Sequence, residues 1–347
     1  MTHQPERQQV HLTAEASCSG CGEAYPRWGF PHRCPSCGGR YVLTSERVES
    51  GKGIPDFLSL GEGGTPLLPL EDDVYVKCED RNPSGSYKDR GTVRLLAAML
   101  EQGVREVVED SSGNAGASLA AYAARAGIQA RIYTPSTAAG PKRAQIARYG
   151  AELIEVPGPR RKAAEAVLDA VEKGAVYASH AWQPHWLMGV AGMALEVAAV
   201  LQPASLFIPV GQGGLLVGLH AGLKAAVRSG ILERMPALMG VQAAVCSPVF
   251  HEYAGQEAPS MWGSSLAEGI SVSLPTRWED VLVAVRSTGG AMLAVKETAI
   301  KQAHADLQVK GLDVEPTSAV AYAALKQQRD VEKPAILILT GAGWKQP

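Results

Sequence analysis

The sequence is short of several things, and each shortage closes off a class of function. Across 347 residues the formal charge at neutral pH is only −2, so no field of one sign exists to gather a nucleic acid or an anionic membrane surface. No stretch approaches the roughly twenty uninterrupted apolar residues of a membrane span. The opening residues Met1-Thr2-His3-Gln4-Pro5-Glu6-Arg7 lack the apolar centre of a secretory signal. Internal repeats and low-complexity tracts are also missing. With 46% hydrophobic residues, the composition is that of an ordinary globular protein, expected in the cytoplasm and long enough for about two domains and a small appendage.

Cysteine is scarce but concentrated. Four of the six cysteines form Cys18-x-x-Cys21 and Cys34-x-x-Cys37, with twelve residues between the pairs and Gly22 and Gly38 after them. That is the spacing of a zinc ribbon, in which glycine lets each knuckle turn its backbone towards the metal. Disulfides suit a reducing compartment less well. A closed site of four thiolates has no open coordination position, so the expected zinc is structural. The ribbon is placed at about 15–45, behind a polar tail, residues 1 to about 14, expected to be disordered. Only Arg27, Arg33 and Arg40 are basic within it, a poor footing for nucleic acid. Cys78 and Cys246 read as small core residues.

Downstream, apolar strands and amphipathic helices alternate. The pattern predicts helix 92–102, strand 105–109, helix 114–126, strand 130–134, helix 141–149, strand 152–156, helix 160–173 and strand 175–178. It then predicts helix 185–201, strand 205–210, helix 214–229, strand 237–242, an irregular 243–280, helices 297–308 and 317–328, and strand 335–339. Such alternation implies βαβ units and parallel sheets covered on both faces.

Four short runs sit at strand-to-helix junctions of this pattern. Asn82-Pro83-Ser84-Gly85-Ser86-Tyr87-Lys88-Asp89-Arg90-Gly91 places a lysine where solvent is excluded, so that its pKa falls and it serves as a nucleophile towards a carbonyl; the plain alternative is a surface lysine in a first helical turn. Ser111-Ser112-Gly113-Asn114-Ala115-Gly116 opens a helix, a seat for one anion or simply a well-capped terminus. Gly211-Gln212-Gly213-Gly214, with Leu215, offers backbone amides to a phosphate. It is neither a Walker A loop nor a dinucleotide fingerprint. Thr340-Gly341-Ala342-Gly343 ends the last strand.

In this order the four runs resemble the fold-type II pyridoxal-phosphate enzymes, tryptophan synthase β-like in architecture and closest in look to threonine synthases. The likeness runs from about Leu60 to Lys345, and Gly61-Glu62-Gly63-Gly64-Thr65-Pro66-Leu67 resembles the threonine synthase lead-in. It implies two doubly wound open parallel-sheet domains behind the ribbon. A large domain would comprise 46–91 and 179–347, a small inserted one 92–178, with the cofactor in the cleft between them and a homodimer as the assembly. The resemblance also implies roles. Lys88 would carry the Schiff base and move the Cα proton. Asn114 would bond the ring 3'-oxygen, unless it is only a helix cap, and Gly211, Gln212, Gly213, Gly214 and Leu215 would hold the phosphate. Thr340 would face the pyridine nitrogen, making a weaker electron sink suited to elimination and replacement. Ser111, Ser112, Gly113 and Ala115 would hold the substrate carboxylate, with His180 nearby.

The family pattern breaks at Gln183-Pro184-His185-Trp186-Leu187-Met188-Gly189-Val190, where threonine synthases have Asn-Pro-x-Arg-Leu-Glu-Gly-Gln. Trp186 replaces the arginine that helps hold a substrate phosphate, and a phosphate dianion is desolvated only with charged partners. Lys142, Arg143, His180 and His185 are the cations available to compensate. Ser179, His180, Trp182 and Trp186 predict an aromatic pocket wall suited to an uncharged side chain, or else, from the four-residue spacing of the tryptophans, one buried helix face. His180 has no identifiable acid–base partner in the sequence. The leading expectation is a threonine synthase or threonine synthase-like lyase acting on a small amino acid. The alternatives are a serine/threonine dehydratase-like deaminase or β-replacement synthase, and, in another class, a non-catalytic binding protein.

Overall fold

In the computed structural model, which describes residues 10–51, 53–111, 113–136 and 140–345, and of Lys142 the backbone alone, the chain begins with a two-stranded ribbon. Strands β1 (Val10–Cys18) and β2 (Tyr41–Ser50) pair antiparallel and carry the cysteine knuckles between them. Residues 10–14 therefore belong to a strand, against expectation. Their alternation, with Leu12 buried, is too brief to stand out within a polar segment.

A hairpin of β3 (Leu67–Glu71) and β4 (Val74–Cys78) follows. Next come α1 (Lys88–Glu101), β5 (Glu106–Glu109), α2 (Asn114–Ala126), β6 (Gln129–Pro135), α3 (Pro141–Arg148), β7 (Glu152–Val156) and α4 (Arg160–Glu172). Helix α1 starts four residues earlier than expected. Asp89 accepts hydrogen bonds from both the amide and the hydroxyl of Ser84, fixing the first turn, and Gly91, which read as a turn residue, lies inside the helix. The expected strand 175–178 is reduced to one parallel bridge between Tyr177 and Val108.

The chain continues through α5 (Pro184–Ala198), β8 (Ser205–Pro209), α6 (Gly214–Arg228) and β9 (Ala237–Ala243). The stretch expected to be irregular contains α7 (Pro248–Ala254) and the start of α8 (Trp278–Ser287), and an unexpected strand β10 (Ala291–Val295) comes after it. Helices α9 (Glu297–Val309) and α10 (Pro316–Gln327) and strand β11 (Ala335–Leu339) complete the chain.

The strands form a parallel three-stranded sheet, β5-β6-β7, and a six-stranded sheet in the order β10-β9-β8-β11-β4-β3. The larger sheet is parallel except for β3 at its edge. Its central strands β8 and β11 are buried at every residue, as expected of strands covered on both faces. Because β11 lies between β8 and β4, the carboxyl ends of three adjacent strands open onto one crevice, the usual seat of a ligand in an open α/β sheet. Helices α1 and α5 touch almost backbone to backbone. A Cβ on Gly189 would overlap the carbonyl of Arg90, and one on Gly91 would overlap the indole of Trp186. Among the described residues no helix is long and apolar enough to cross a membrane.

Candidate active site

The crevice is a cavity of about 510 Å³. Lys88, Ser111, Gly113, Asn114, Ala115, His180, Gly211, Gln212, Gly213, Gly214, Leu215 and Thr340 all line it, so the sequence-predicted cofactor and substrate residues converge. Ser112 lies outside the described residues.

Lys88 is the first residue of α1. Its Nζ donates to the Tyr87 hydroxyl at 2.9 Å and lies 4.6 and 5.2 Å from the ring centroids of Tyr87 and Trp186. Burial lowers its pKa to about 8, against the opposite pull of Glu109 and Glu315. The neutral amine, which attack on a carbonyl requires, is therefore far more populated near neutral pH than in an ordinary lysine.

The glycine loop follows β8 and opens α6, whose first turn contains no acidic residue. Gly213 has φ of +93°, a conformation costly for any residue with a Cβ. The amides of Gly211, Gln212, Gly213 and Gly214 donate to no protein acceptor among the described residues. Unpaired N–H groups converging on a helix N-terminus, where the dipole is positive, form a cradle for an anion. Behind the loop, Arg277 N donates to Gln212 O at 3.1 Å. The Arg277 side chain is 0% exposed and bonds the carbonyls of Ala181, Trp182 and Tyr41. Nothing in the sequence pattern singled out this arginine.

Asn114 does not cap its helix. Gly113 occupies the cap position without a side-chain bond, and Asn114 Nδ2 donates to the Glu315 carboxylate at 3.0 and 3.2 Å, while Lys345 Nζ donates to its Oδ1 at 3.3 Å. Thr340 Oγ1 donates to Glu315 Oε1 at 3.1 Å and lies 3.2 Å from Ser318 Oγ. Glu315 thus ties together the two residues expected to face the cofactor ring. It precedes Pro316 in a segment that reads as a helix start, so its place in the cavity had no local signal. Ser111 is buried, and its Oγ accepts from Gly113 N at 3.4 Å.

The expected aromatic wall is only partly present. Trp186 is 1% exposed and lines the cavity beside His180, with ring centroids 6.0 Å apart. Trp182, Ser179 and His185 do not line it. Trp182 precedes α5, so the four-residue spacing is not helical, and it packs under Arg33 and beside His32 of the ribbon. His185 packs on Tyr25 and Phe30, and burial pushes its imidazole down to about 4, so it is no cation at neutral pH. Arg143 and the unpredicted Arg160 line the cavity. His180 does have a partner, Glu109, at 2.7 Å.

Away from the cavity, the thiol sulfurs of Cys18, Cys21, Cys34 and Cys37 all lie within 4.8 Å of one another. The ribbon docks on the body through Tyr25 Oη, which donates to Gln183 Oε1 at 2.9 Å, and through Arg40 with Asp280.

A family model described as pyridoxal-phosphate dependent enzyme matches residues 58–341. A threonine synthase from Synechocystis sp. is 33% identical over 308 residues, covering 84% of this chain and 79% of that protein. One from Methanosarcina acetivorans is 28% identical over 372 residues, covering 95% and 92%. Maize serine racemase superposes with a TM-score of 0.70 at 23% identity, over 80% of this chain and 88% of the other. The processed form of threonine deaminase isoform 2 from Solanum lycopersicum does so with a TM-score of 0.65 at 21% identity, over 78% and 74%. These two share the fold.

Proposed function

The chain belongs to the pyridoxal-phosphate dependent enzyme family, as a fold-type II lyase, and from that premise we propose that it is a threonine synthase that converts O-phosphohomoserine to threonine. The observation that carries the reading is the half-buried Lys88 amine, with its lowered pKa, sharing one cavity with the unpaired amides of the glycine loop.

The residues present fit the cofactor. Lys88 would hold it covalently, the four loop amides and Leu215 would take its phosphate, Asn114 its 3'-oxygen and Thr340 its ring nitrogen, with Glu315 orienting both side chains. When bound, pyridoxal phosphate supplies an electron-withdrawing ring that weakens the bonds at Cα. Lys88 would also take and return the Cα proton. The amino end of α2, with Ser111, Ser112, Gly113 and Ala115, would hold the substrate carboxylate. Arg143 and Arg160, which line the cavity, supply cationic partners for a substrate phosphate in place of the arginine that Trp186 replaces.

Trp186 itself supports a second reading, a serine/threonine dehydratase-like deaminase or β-replacement synthase, because its buried indole favours an uncharged side chain. A non-catalytic binding role is disfavoured by the intact Lys88. Beyond the cavity, the proposal places structural zinc on Cys18, Cys21, Cys34 and Cys37, a small inserted domain at 92–178, a homodimer, and a cytoplasmic location.

Holoenzyme incubated with O-phosphohomoserine, serine and threonine separately decides between the readings. Phosphate released with threonine formed supports threonine synthase, and keto acid from serine or threonine alone supports the deaminase. No spectral change with any small amino acid would refute both.

A further inference from the structure

Glu109 ends β5 with its carboxyl 1% exposed. One oxygen lies 2.7 Å from Nδ1 of His180, and the other, Oε2, is buried without a hydrogen-bond partner among the described residues. His180 is half-buried, its side chain 12% exposed, and lines the cavity. The pair is not needed to join the segments that carry it. Val108 N donates to Val176 O at 2.9 Å and Ala178 N to Val108 O at 3.0 Å, so backbone bonds already lock β5 to residues 176–178. The neighbouring Asp110 has its own partner in the Tyr177 hydroxyl at 2.6 Å. A buried carboxyl with an orphaned oxygen is a costly strut, whereas a carboxyl behind a cavity-facing imidazole is the arrangement of a proton-transfer pair.

Resting on the lyase reading above, we propose that His180, positioned by Glu109, is a second acid–base centre facing the substrate side chain, which gives or takes the proton at the oxygen of the Cβ–OH bond made or broken with water. A phosphate departs as a stable anion without help, but hydroxide does not leave carbon, nor water add to it, without a proton donor or acceptor beside the oxygen. In the breaking direction, the Cα proton passes to Lys88 Nζ, and the electron pair of that bond forms the Cα–Cβ double bond. The Cβ–O bond breaks with its pair on oxygen. That oxygen takes a proton from Nε2 of His180 and leaves as water, and Glu109 resupplies Nδ1. Addition of water runs the same transfers backwards.

The surroundings suit the task. Burial pushes the Glu109 carboxyl well above the usual carboxylate range, and burial, with Lys88 and Arg160, pushes the His180 imidazole well below its own. Both shifts favour a proton on the Glu109 carboxyl beside a neutral imidazole, the arrangement the 2.7 Å contact to Nδ1 accommodates. The charged groups around it are Lys88 from α1, Asp110 beyond β5 with Tyr177 bonded to it, and Arg160 from α4.

Glu109→Gln and His180→Asn holoenzymes test the assignment. Both should keep bound cofactor and exchange the substrate Cα proton for solvent deuterium, while formation or loss of the Cβ hydroxyl falls on the order of 100-fold or more. Glu109→Asp should recover part of the loss. Independently of turnover, nitrogen NMR of the His180 ring in substrate-free protein should show a changed tautomer or titration in Glu109→Gln. Hydroxyl chemistry at the wild-type rate in both variants would overturn the proposal, and so would loss of cofactor in both, which makes the pair structural. Wild-type protein unable to exchange the Cα proton of any small amino acid would defeat the lyase reading, and this inference with it.

Discussion

Trp186 lies against the bare Cα of Gly91, three residues along α1 from Lys88, so closely that a Cβ at Gly91 would overlap the indole. The same indole lines the cavity, so this contact sets how near the cavity wall stands to the Lys88 amine. Gly91→Ala should therefore destabilise the fold by about 1–3 kcal/mol and weaken cofactor retention. Thermal melts and the cofactor absorbance of the dialysed variant read both effects.

The depressed pKa of Lys88 carries a pH dependence. Cofactor capture by the apoenzyme needs the neutral amine, so its rate should rise with pH to a midpoint near 8 rather than near 10.5, the value for an ordinary lysine. The stability linkage has a definite sign. The fold prefers the neutral amine, so the cost of burying Lys88 is present in full below about pH 8 and fades as pH rises to 10.5. Lys88→Met apoprotein should accordingly be more stable than wild type at pH 7, with the difference shrinking at pH 10. Denaturant unfolding at the two pH values measures it.

Beneath α1 lies an ionic network, buried at Lys77, Glu79 and Arg90 and half-buried at Glu196. Arg90 Nε lies 2.6 Å from Glu79 Oε2, and Arg90 Nη1 lies 2.7 Å from Glu196 Oε1, with Lys77 Nζ 2.6 Å from Glu196 Oε2. Arg90→Met would leave the Glu79 carboxylate without its closest cation at a fully buried position, a loss of about 3–5 kcal/mol. Burial alone would raise the Glu196 pKa, but Arg90 and Lys77 outweigh it and hold the group at about 2. Its contribution is thus intact above the ordinary carboxylate range, 4.5 for a free glutamate, and is lost as pH falls towards 2. Acid unfolding curves of wild type and Glu196→Gln should converge at low pH.

The ribbon's cysteines predict one zinc per chain by elemental analysis. Chelation, or Cys21→Ser, should lower the melting temperature and alter tryptophan fluorescence, because Trp182 packs under Arg33, whose guanidinium carbon lies 4.3 Å from its ring centroid. Fluorescence indifferent to metal removal would contradict the docking of ribbon on body.

The sequence made legible what is local to a strand end. Lys88, Asn114, the glycine loop and Thr340 each sit at a junction where apolar periodicity stops and turn residues begin, and parallel strands bring such junctions together. The residues that reach them from afar were hidden. Glu315 meets Asn114 and Thr340 from the start of α10, Glu109 meets His180 across 71 residues, and Arg277 sits in a stretch with no readable period. Trp182, read from its spacing as pocket wall or helix face, and His185, read as a cation for the missing arginine, both pack elsewhere, because residue type and periodicity do not say what a side chain packs against. Here it is the ribbon.

The central claim is that Lys88 is the covalent anchor of pyridoxal phosphate. Borohydride reduction of the holoenzyme followed by peptide mass mapping tests it most directly. The account predicts the reduced phosphopyridoxyl group on Lys88 and nowhere else. The group on another lysine, or a Lys88 peptide of unmodified mass in cofactor-saturated protein, would contradict it.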